Sequence, residues 1–385
     1  MEKKIEDIFW ENNIFEQRVK GKSLLQIESD TFYEGCAFYL NEEECYCIED
    51  SYFYNCSFRG NVHFSGLEGC KFDNCNFCGT FALDFSESIW PDKHFCSLYD
   101  LTKLNLRDSN MCTLPWKFRF LVNLCELNLS DNAMGYFPPE ILFLDKLCYL
   151  DMSENGIEFI PKEIVQLQQL SVLNLSYNNL YDVLSPNLCE LRNLEELNLT
   201  SNYIRHLPEE FAKLQKISIL NLEYNTLSRV PLAITKLQNL KFLNFSYNRI
   251  RNLPKEFEQL QNLRTLRLAR NQISSFPEEI FLLTNLQSLD LSINLLPSIP
   301  EEIGQLEKLR HLRFVDNQLK QIPLELCRLQ NLETLDLSDN DLRHLPSEIH
   351  RLKSLRLLYL KNTGIGWWQR QKIKSWLPNC EIHWQ

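Results

Sequence analysis

LETLDLSDNDLRHLP, residues 332–346, decides the fold. Leu335 and Leu337 flank Asp336, the period-2 alternation of a short strand with leucines on one face and the aspartate on the other. Leu332 lies ahead of this strand, Asn340 and Leu342 follow it, and Leu345-Pro346 closes the stretch. Reading outward in either direction, the same order returns. Leucine or isoleucine stands at 101, 124, 147, 170, 194, 217, 240, 263, 286, 309, 332 and 355, and every step is 23 residues except the 24 from 170 to 194. Twelve units therefore read L-x-x-L-x-L-x-x-N-x-L or a close variant.

A period of roughly 20–29 residues with this order is the leucine-rich-repeat signature. The expected fold is α/β: a leucine-rich-repeat solenoid, or horseshoe, with a parallel concave β-sheet. Parallel strands need a long return crossover, and the half-unit Leu207-Pro208-Glu209-Glu210-Phe211-Ala212-Lys213-Leu214 supplies one. Proline suits a first helical position and acids suit a helix N-terminus, so this half predicts a short helical or 3₁₀ turn. A one-dimensional array needs only its neighbours, which frees a chain of 385 residues from the usual division into separate globular cores.

The ninth position is Asn in ten units, at 132, 155, 178, 202, 225, 248, 271, 294, 317 and 340. A buried amide there both donates and accepts along the turning backbone, linking unit to unit. The exceptions, Ser109 and Thr363, fall in the end units, where an array meets water and departs from its consensus. Cys78, Phe81, Leu83 and Ser86 fit the template as a degenerate unit ahead of the first.

The two ends read differently. The triplets Cys36-Ala37-Phe38, Cys56-Ser57-Phe58 and Cys75-Asn76-Phe77 recur at about one 20-residue coil. They resemble pentapeptide-type β-solenoid repeats, with small residues and phenylalanines inward. The first 25 residues pattern as a helix with Ile5, Ile8, Phe9, Asn12 and Phe15 on one face. Downstream, residues 367–377 form an amphipathic helical stretch ended by Pro378, and Cys380-Glu381-Ile382-His383-Trp384 alternates like a final strand. The expected organisation is an acidic, Cys/Phe-rich N-terminal cap at 1–77, the repeat array at 78–366, and a helical C-terminal cap at 367–385.

The formal charge of −11 is uneven. Residues 1–97 carry 8 Lys and Arg against 18 Asp and Glu, and the remainder 32 against 33. The acidic segment, with Glu42, Glu43 and Glu44, repels phosphate backbones and disfavours a nucleic-acid partner. The N-terminus has no apolar stretch followed by a small-residue cleavage site, and nowhere does a long apolar run predict a membrane span. The 14 cysteines form no paired framework of a secreted cap. The expected location is cytoplasmic, including the case of a protein delivered into a host cytosol. The glycosylation-type triplets at Asn128, Asn174, Asn198 and Asn244 are by-products of the repeat.

The segment IPEEIGQLEKLRHLRFVDNQLKQIP, residues 299–323, resembles the 23-residue repeats of intracellular Ras-group and Scribble-type proteins and of bacterial leucine-rich-repeat proteins. The ending Leu377-Pro378-Asn379-Cys380-Glu381-Ile382 is more similar to the bacterial members. The resemblance covers about 285 residues and implies protein binding, often of signalling GTPases or kinases. Without a kinase, GTPase, PDZ or ubiquitin-ligase pattern among these residues, no activity of fused relatives is expected of them.

A partner would meet the outward strand positions. Most are polar, but the middle of the array places Ile219, Tyr224, Phe242 and Tyr247 on adjacent units, with Val172 and Tyr177 upstream and Arg264, Arg267, Arg270, Arg310 and Arg313 downstream. Aromatics beside arginines are the composition of interface hot spots. The expected function is a non-catalytic protein–protein scaffold or adaptor in intracellular signalling, with Tyr177, Ile219, Tyr224, Phe242, Tyr247, Arg267, Arg270 and Arg313 touching the partner. The same patch would serve an alternative, a sensor of a peptide or small molecule. The competing explanation is that these rings pack on one another and stabilise the sheet.

Other chemistries find less support. Cys45-x-Cys47, Cys70 and Cys75-x-x-Cys78 contain one knuckle-like pair without a second, and Cys70 and Cys75 are also explained as inward coil residues. His206, His311 and His344 have no nucleophile spaced with them, and the 11 glycines form no phosphate loop. No enzyme activity, metal or cofactor is expected.

Overall fold

The computed structural model describes residues 17–83, with short gaps at 25, 30, 40–45, 50, 55, 60–61, 69–70, 74–75 and 79–80, and residues 102–384 apart from 109, 110 and 115. Within each repeat one sequence of events recurs, and the residues dictate each step. A three-residue strand such as Thr334–Asp336 buries its middle leucine and leaves the flanking pair half-buried on the solvent side. The backbone then turns left-handed at the eighth position of the unit. All twelve residues there, from Asp108 to Asn362, have φ between 50° and 58°, and none is glycine. That turn swings the ninth-position asparagine inward. The Asn248 side-chain amide donates to the carbonyls of Phe245 (3.0 Å) and Ser246 (3.3 Å) in its own unit and of Leu222 (2.9 Å) in the unit before. Its Oδ1 accepts from the N–H of Leu227 at 3.0 Å. The bond to the preceding unit recurs at Asn178, Asn225, Asn271, Asn294, Asn317 and Asn340, forming the expected ladder.

The return half is helical in the tight sense. Ten returns among the described residues take a five-residue 3₁₀ turn and one a short α-helix, Leu232–Thr235. Proline sits one place earlier than the sequence predicts: Pro208 has ψ 157°, extended, and precedes the turn Glu209–Lys213. Only Pro139 and Pro186 open a turn from inside it. An extended proline hands the first turn to Glu209 and Glu210, whose charges favour the N-terminal end. Phe211 of that turn and Leu214, which follows it, are fully buried.

The chain divides into two units, 1–179 and 180–385. In the first, three parallel ladders run through residues 17–83. One holds Gln17–Lys20, Thr31–Glu34, Tyr52–Tyr54 and Lys71–Asp73. The second holds Ser23–Leu24, Ala37–Tyr39, Ser57–Arg59 and Asn76–Cys78. The third holds Tyr46–Glu49, Val62–Glu68 and Phe81–Leu83. Successive coils stack like on like: the rings of Phe38 and Phe58 lie 4.8 Å apart, those of Tyr33 and Phe53 5.0 Å apart. Cys36 and Cys56 are buried beside them.

Two expectations for this unit change. Residues 17–20 and 23–24 are strands rather than part of a helix, and Gly21 between them, at φ 61°, turns the chain from the first ladder to the second. Ile5, Ile8, Phe9, Asn12 and Phe15 lie outside the described residues. The strand Phe81–Leu83 joins Val62–Phe64 in the third ladder, so it does not lead the repeat sheet. The strand that meets Lys103–Asn105 is Asn76–Cys78, through Asn76 and Asn105. From there Lys103–Asn105, Glu126–Asn128, Tyr149–Asp151 and Val172–Asn174 pair in parallel, each 23 residues from the last.

The second unit stacks nine parallel strands, from Glu196–Asn198 through Ile219–Asn221, Phe242–Asn244, Thr265–Arg267, Ser288–Asp290, His311–Arg313, Thr334–Asp336 and Leu357–Tyr359 to Glu381–His383. Their central leucines, among them Leu220, Leu243, Leu266 and Leu289, are fully buried in one column. Beside the single 24-residue step lies a two-stranded side ladder. Tyr181–Val183 pairs in parallel with Tyr203–His206, and the register shifts between Asp182 and Val183, with Asp182 at φ 60°. At the far end the helix Trp367–Trp376 buries Ile373, and the strand Glu381–His383 pairs with Leu357–Tyr359.

Candidate partner-binding face

Period-2 alternation turns the third and fifth positions of every unit to the solvent face of its ladder, and the left-handed turn places the eighth beside them. In the second unit this brings four apolar side chains together. Ile219 and Phe242 are register partners on adjacent strands. The rings of Tyr224 and Tyr247 stack at 3.7 Å with an interplanar angle of 19°. Ile219 is 37% exposed and Tyr224 45%, while Phe242 and Tyr247 are half-buried beside them. The next unit adds charge. The Arg267 guanidinium lies 5.4 Å from the centre of the Phe242 ring, and Arg270 lies 4.9 Å from that of Tyr247. A cation over a ring face is attracted by the ring's quadrupole, which orders both side chains.

Stacking also changes the acidity of Tyr224. A hydrogen bond to Tyr247, with the burial that stacking brings, pushes the Tyr224 phenol up to about 12. The Tyr224 phenol is therefore neutral throughout the physiological range.

The fifth position carries a pattern that composition alone did not announce. Where it is Asn or Asp, its Oδ1 accepts the N–H of the seventh residue and closes the turn. Asn128 so holds Ser130 at 2.9 Å, Asn174 holds Ser176 at 3.1 Å, Asn244 holds Ser246 at 2.9 Å and Asp336 holds Ser338 at 3.1 Å. The same bond closes the units of Asp151, Asn198, Asn221 and Asp290. Arg267 and Arg313 give it up, since a guanidinium only donates. Their seventh residues are Ala269 and Val315, and the Val315 N–H is taken instead by Ser292 Oγ at 3.2 Å. Two units thus forgo a turn-closing bond to present arginine. The signal was in the sequence, as the simultaneous loss of Asn at the fifth position and of Ser or Thr at the seventh, but its meaning needs the geometry.

The remaining candidates fall elsewhere. Arg313 lies in His311–Arg313, three strands beyond Phe242–Asn244 and between Asp290 and Asp336 in register. That separation is about 14 Å along the ladder, so Arg313 does not join the aromatic cluster. Arg264 is exposed ahead of its strand, and Arg310 is engaged with Glu333 at 3.2 Å. Tyr177 belongs to the first unit, at the left-handed position after Val172–Asn174, and is exposed there.

Among the described residues no group of three or more His, Cys, Asp or Glu is placed to hold a metal ion. Cys45, Cys70 and Cys75 lie outside the described residues, as do the side chains of Cys47 and Cys78. His206 ends the strand Tyr203–His206, His311 begins its own, and His344 lies in the irregular segment ahead of the 3₁₀ turn Ser347–Arg351, each exposed. Burial pushes the Cys189 and Cys327 thiols up to about 12, which leaves them without nucleophilic thiolate at neutral pH.

The chain matches the family described as "Leucine-rich repeat region" over residues 233–308, "Leucine Rich repeats (2 copies)" over 307–347, "Leucine rich repeat" over 182–227 and "Leucine Rich Repeat" over 169–191. No curated protein sequence matches it. Among solved structures, a leucine-rich-repeat protein of Leptospira interrogans is 29% identical, covering 76% of this chain and 98% of its own, with a TM-score of 0.43. An internalin, InlF, of Listeria monocytogenes is 21% identical with a TM-score of 0.65, covering 75% of this chain and 88% of its own. The plant peptide hormone receptor RGFR1, solved in complex with RGF2, is 24% identical with a TM-score of 0.63, covering 91% of this chain and 65% of its own. The internalin and the receptor share the fold.

Proposed function

This chain is a leucine-rich-repeat protein, and from that premise we propose that it is a non-catalytic scaffold that holds a partner protein on the solvent face of its second-unit ladder. The observation that carries the reading is the cluster of Ile219, Tyr224, Phe242 and Tyr247 bordered by Arg267 and Arg270. Exposed polar strand faces dissolve readily, whereas stacked rings rimmed by guanidinium groups gain from being covered by apolar surface. The partner surface that fits is apolar at its centre with carboxylates at one edge to meet the arginines. Cytoplasmic signalling proteins, GTPases and kinases among them, are the partner class that the repeat resemblance suggests. Tyr177 and Arg313 lie outside this cluster and are secondary contacts in this reading.

The test is affinity capture from the native source's lysate, comparing the wild type with Tyr224→Glu/Phe242→Glu/Tyr247→Glu at matched thermal stability. A protein of reproducible identity that is held by the wild type and lost from the variant supports the scaffold. An unchanged set of captured proteins from a variant that still folds removes the site from this face. Loss of a peptide or small metabolite, with no protein lost, would favour the alternative sensor on the same residues.

A further inference from the structure

We propose that the helix Trp367–Trp376 is a docking surface for an anionic lipid bilayer, with Trp367 and Trp368 entering the interface and lysines of the same face meeting the lipid phosphates. The helix is fixed on one side. Ile373 and the following Leu377 are buried, Gln369 donates to the Leu345 carbonyl at 3.1 Å, and Arg370 donates to the Ile365 carbonyl at 3.0 Å while lying over the Trp384 ring at 4.9 Å. By the 3.6-residue period, Trp367, Trp368, Gln371, Lys372, Lys374 and Ser375 then share the opposite face, and all six are exposed. Trp367 and Trp368 are 61% and 78% exposed, and their rings meet edge to face at 4.5 Å.

Indoles of this exposure cost solvation free energy unless something covers them, and the charge around them says what. The helix contains no acidic residue, and residues 347–385 carry seven Lys and Arg against two Glu in a chain whose net charge is −11. The 3₁₀ turn Ser347–Arg351 packs beside the helix and adds exposed Arg351. A face that pairs tryptophan with lysine and has no groove between its rings suits a planar, wet, negatively charged interface, where an indole's apolar body and N–H tip are both accommodated. This surface is separate from the tyrosine–arginine cluster, and both can be occupied in one molecule.

Co-sedimentation of the full chain with vesicles of phosphatidylcholine alone, and of phosphatidylcholine with phosphatidylglycerol, tests this. The expected result is binding to the phosphatidylglycerol vesicles, weaker binding to phosphatidylcholine alone, and loss on adding salt. Trp367→Ala/Trp368→Ala should reduce the partition by about tenfold or more, and Lys372→Glu/Lys374→Glu should abolish the preference for phosphatidylglycerol. These side chains are exposed, so unchanged thermal unfolding separates lost docking from lost folding. Tyr224→Glu/Phe242→Glu/Tyr247→Glu should bind vesicles like the wild type, which keeps this result independent of the scaffold reading. No binding of the wild type to either vesicle overturns the proposal, as does equal binding by the double tryptophan variant. Capture of a protein through the helix without any vesicle binding would assign the face to a protein contact and also overturn it.

Discussion

Tyr224 and Tyr247 occupy the same position of consecutive repeats, both in the left-handed region at φ 52° and 57°, and their rings stack at 3.7 Å. The repeat itself produces this contact: parallel strands hold equivalent residues one strand spacing apart, and identical backbone turns aim both rings alike. A parallel pair also brings the hydroxyls together, so ionising one phenol disturbs the other.

The first prediction concerns that coupling. The folded Tyr224 has its pKa raised to about 12 against an ordinary value of 10.0. Its contribution to stability is therefore present below pH 10 and lost as pH rises from about 10 to 12. Ultraviolet titration of tyrosinate in the wild type should show, alongside Tyr33, whose phenol burial also raises, a late-titrating Tyr224. In Tyr247→Phe, Tyr224 should move back towards the ordinary value. A titration curve unchanged by Tyr247→Phe would remove the hydrogen bond as the cause.

The second prediction separates the two parts of the core. Leu243→Ala leaves a cavity in the leucine column and should lower the unfolding free energy by about 2–5 kcal/mol. Asn248→Leu keeps the volume but deprives the carbonyls of Leu222, Phe245 and Ser246 and the Leu227 N–H of their partner. The expected loss is about 1–3 kcal/mol or more, since buried unsatisfied groups carry their full desolvation penalty. Urea denaturation of both variants measures this, and an Asn248→Leu protein as stable as the wild type would show that water replaces the amide.

How much of this was readable beforehand depends on the kind of constraint. The ladder, the asparagine spine and the 3₁₀ returns follow from a period repeated twelve times, because each residue type does the same job in each unit. The neighbours Ile219 and Phe242, and Tyr224 and Tyr247, were legible for the same reason: fixed spacing converts directly into adjacency. The ordering of Arg267 and Arg270 over particular rings was not, because it depends on side-chain direction. The N-terminal strands were only partly legible. The phenylalanine spacing announced stacked coils, but the strands at 17–20 and 23–24 fell inside the expected helix, and only the positive φ of Gly21 shows the chain turning between them. The step of 24 residues marks an insertion without giving its place, and the irregular pairing of Asp182 and Val183 with Ile204 and His206 had no signal of its own in the sequence.

A third prediction follows from the left-handed turns. Ile293 holds φ 54° where other units use Asp, Asn, Ser, Glu, Tyr or Arg, none of them β-branched. A β-branched side chain is strained there, whereas asparagine tolerates the region. Ile293→Asn should therefore stabilise the protein by about 1 kcal/mol, seen as a higher urea midpoint at unchanged slope. A decrease would mean that the isoleucine gains more from packing than it loses in its backbone.

The fourth prediction weighs stability against binding at one residue. Eight units close their turn with an Asn or Asp at the fifth position accepting the N–H of the seventh. The unit of Arg267 has arginine and Ala269 in those places. Arg267→Asn/Ala269→Ser rebuilds the consensus pair and should raise stability by about 0.5–1.5 kcal/mol, the net worth of an internal hydrogen bond. The same change removes the guanidinium over the Phe242 ring. If Arg267 contacts the partner, the more stable variant should hold it less well, and the capture should weaken while the unfolding midpoint rises. A variant that is more stable and binds equally would leave Phe242 and the tyrosine pair as the binding residues and strip Arg267 of that role. A variant that is no more stable would show that the turn closes as well without the side chain, so that the arginine came at no cost to the fold.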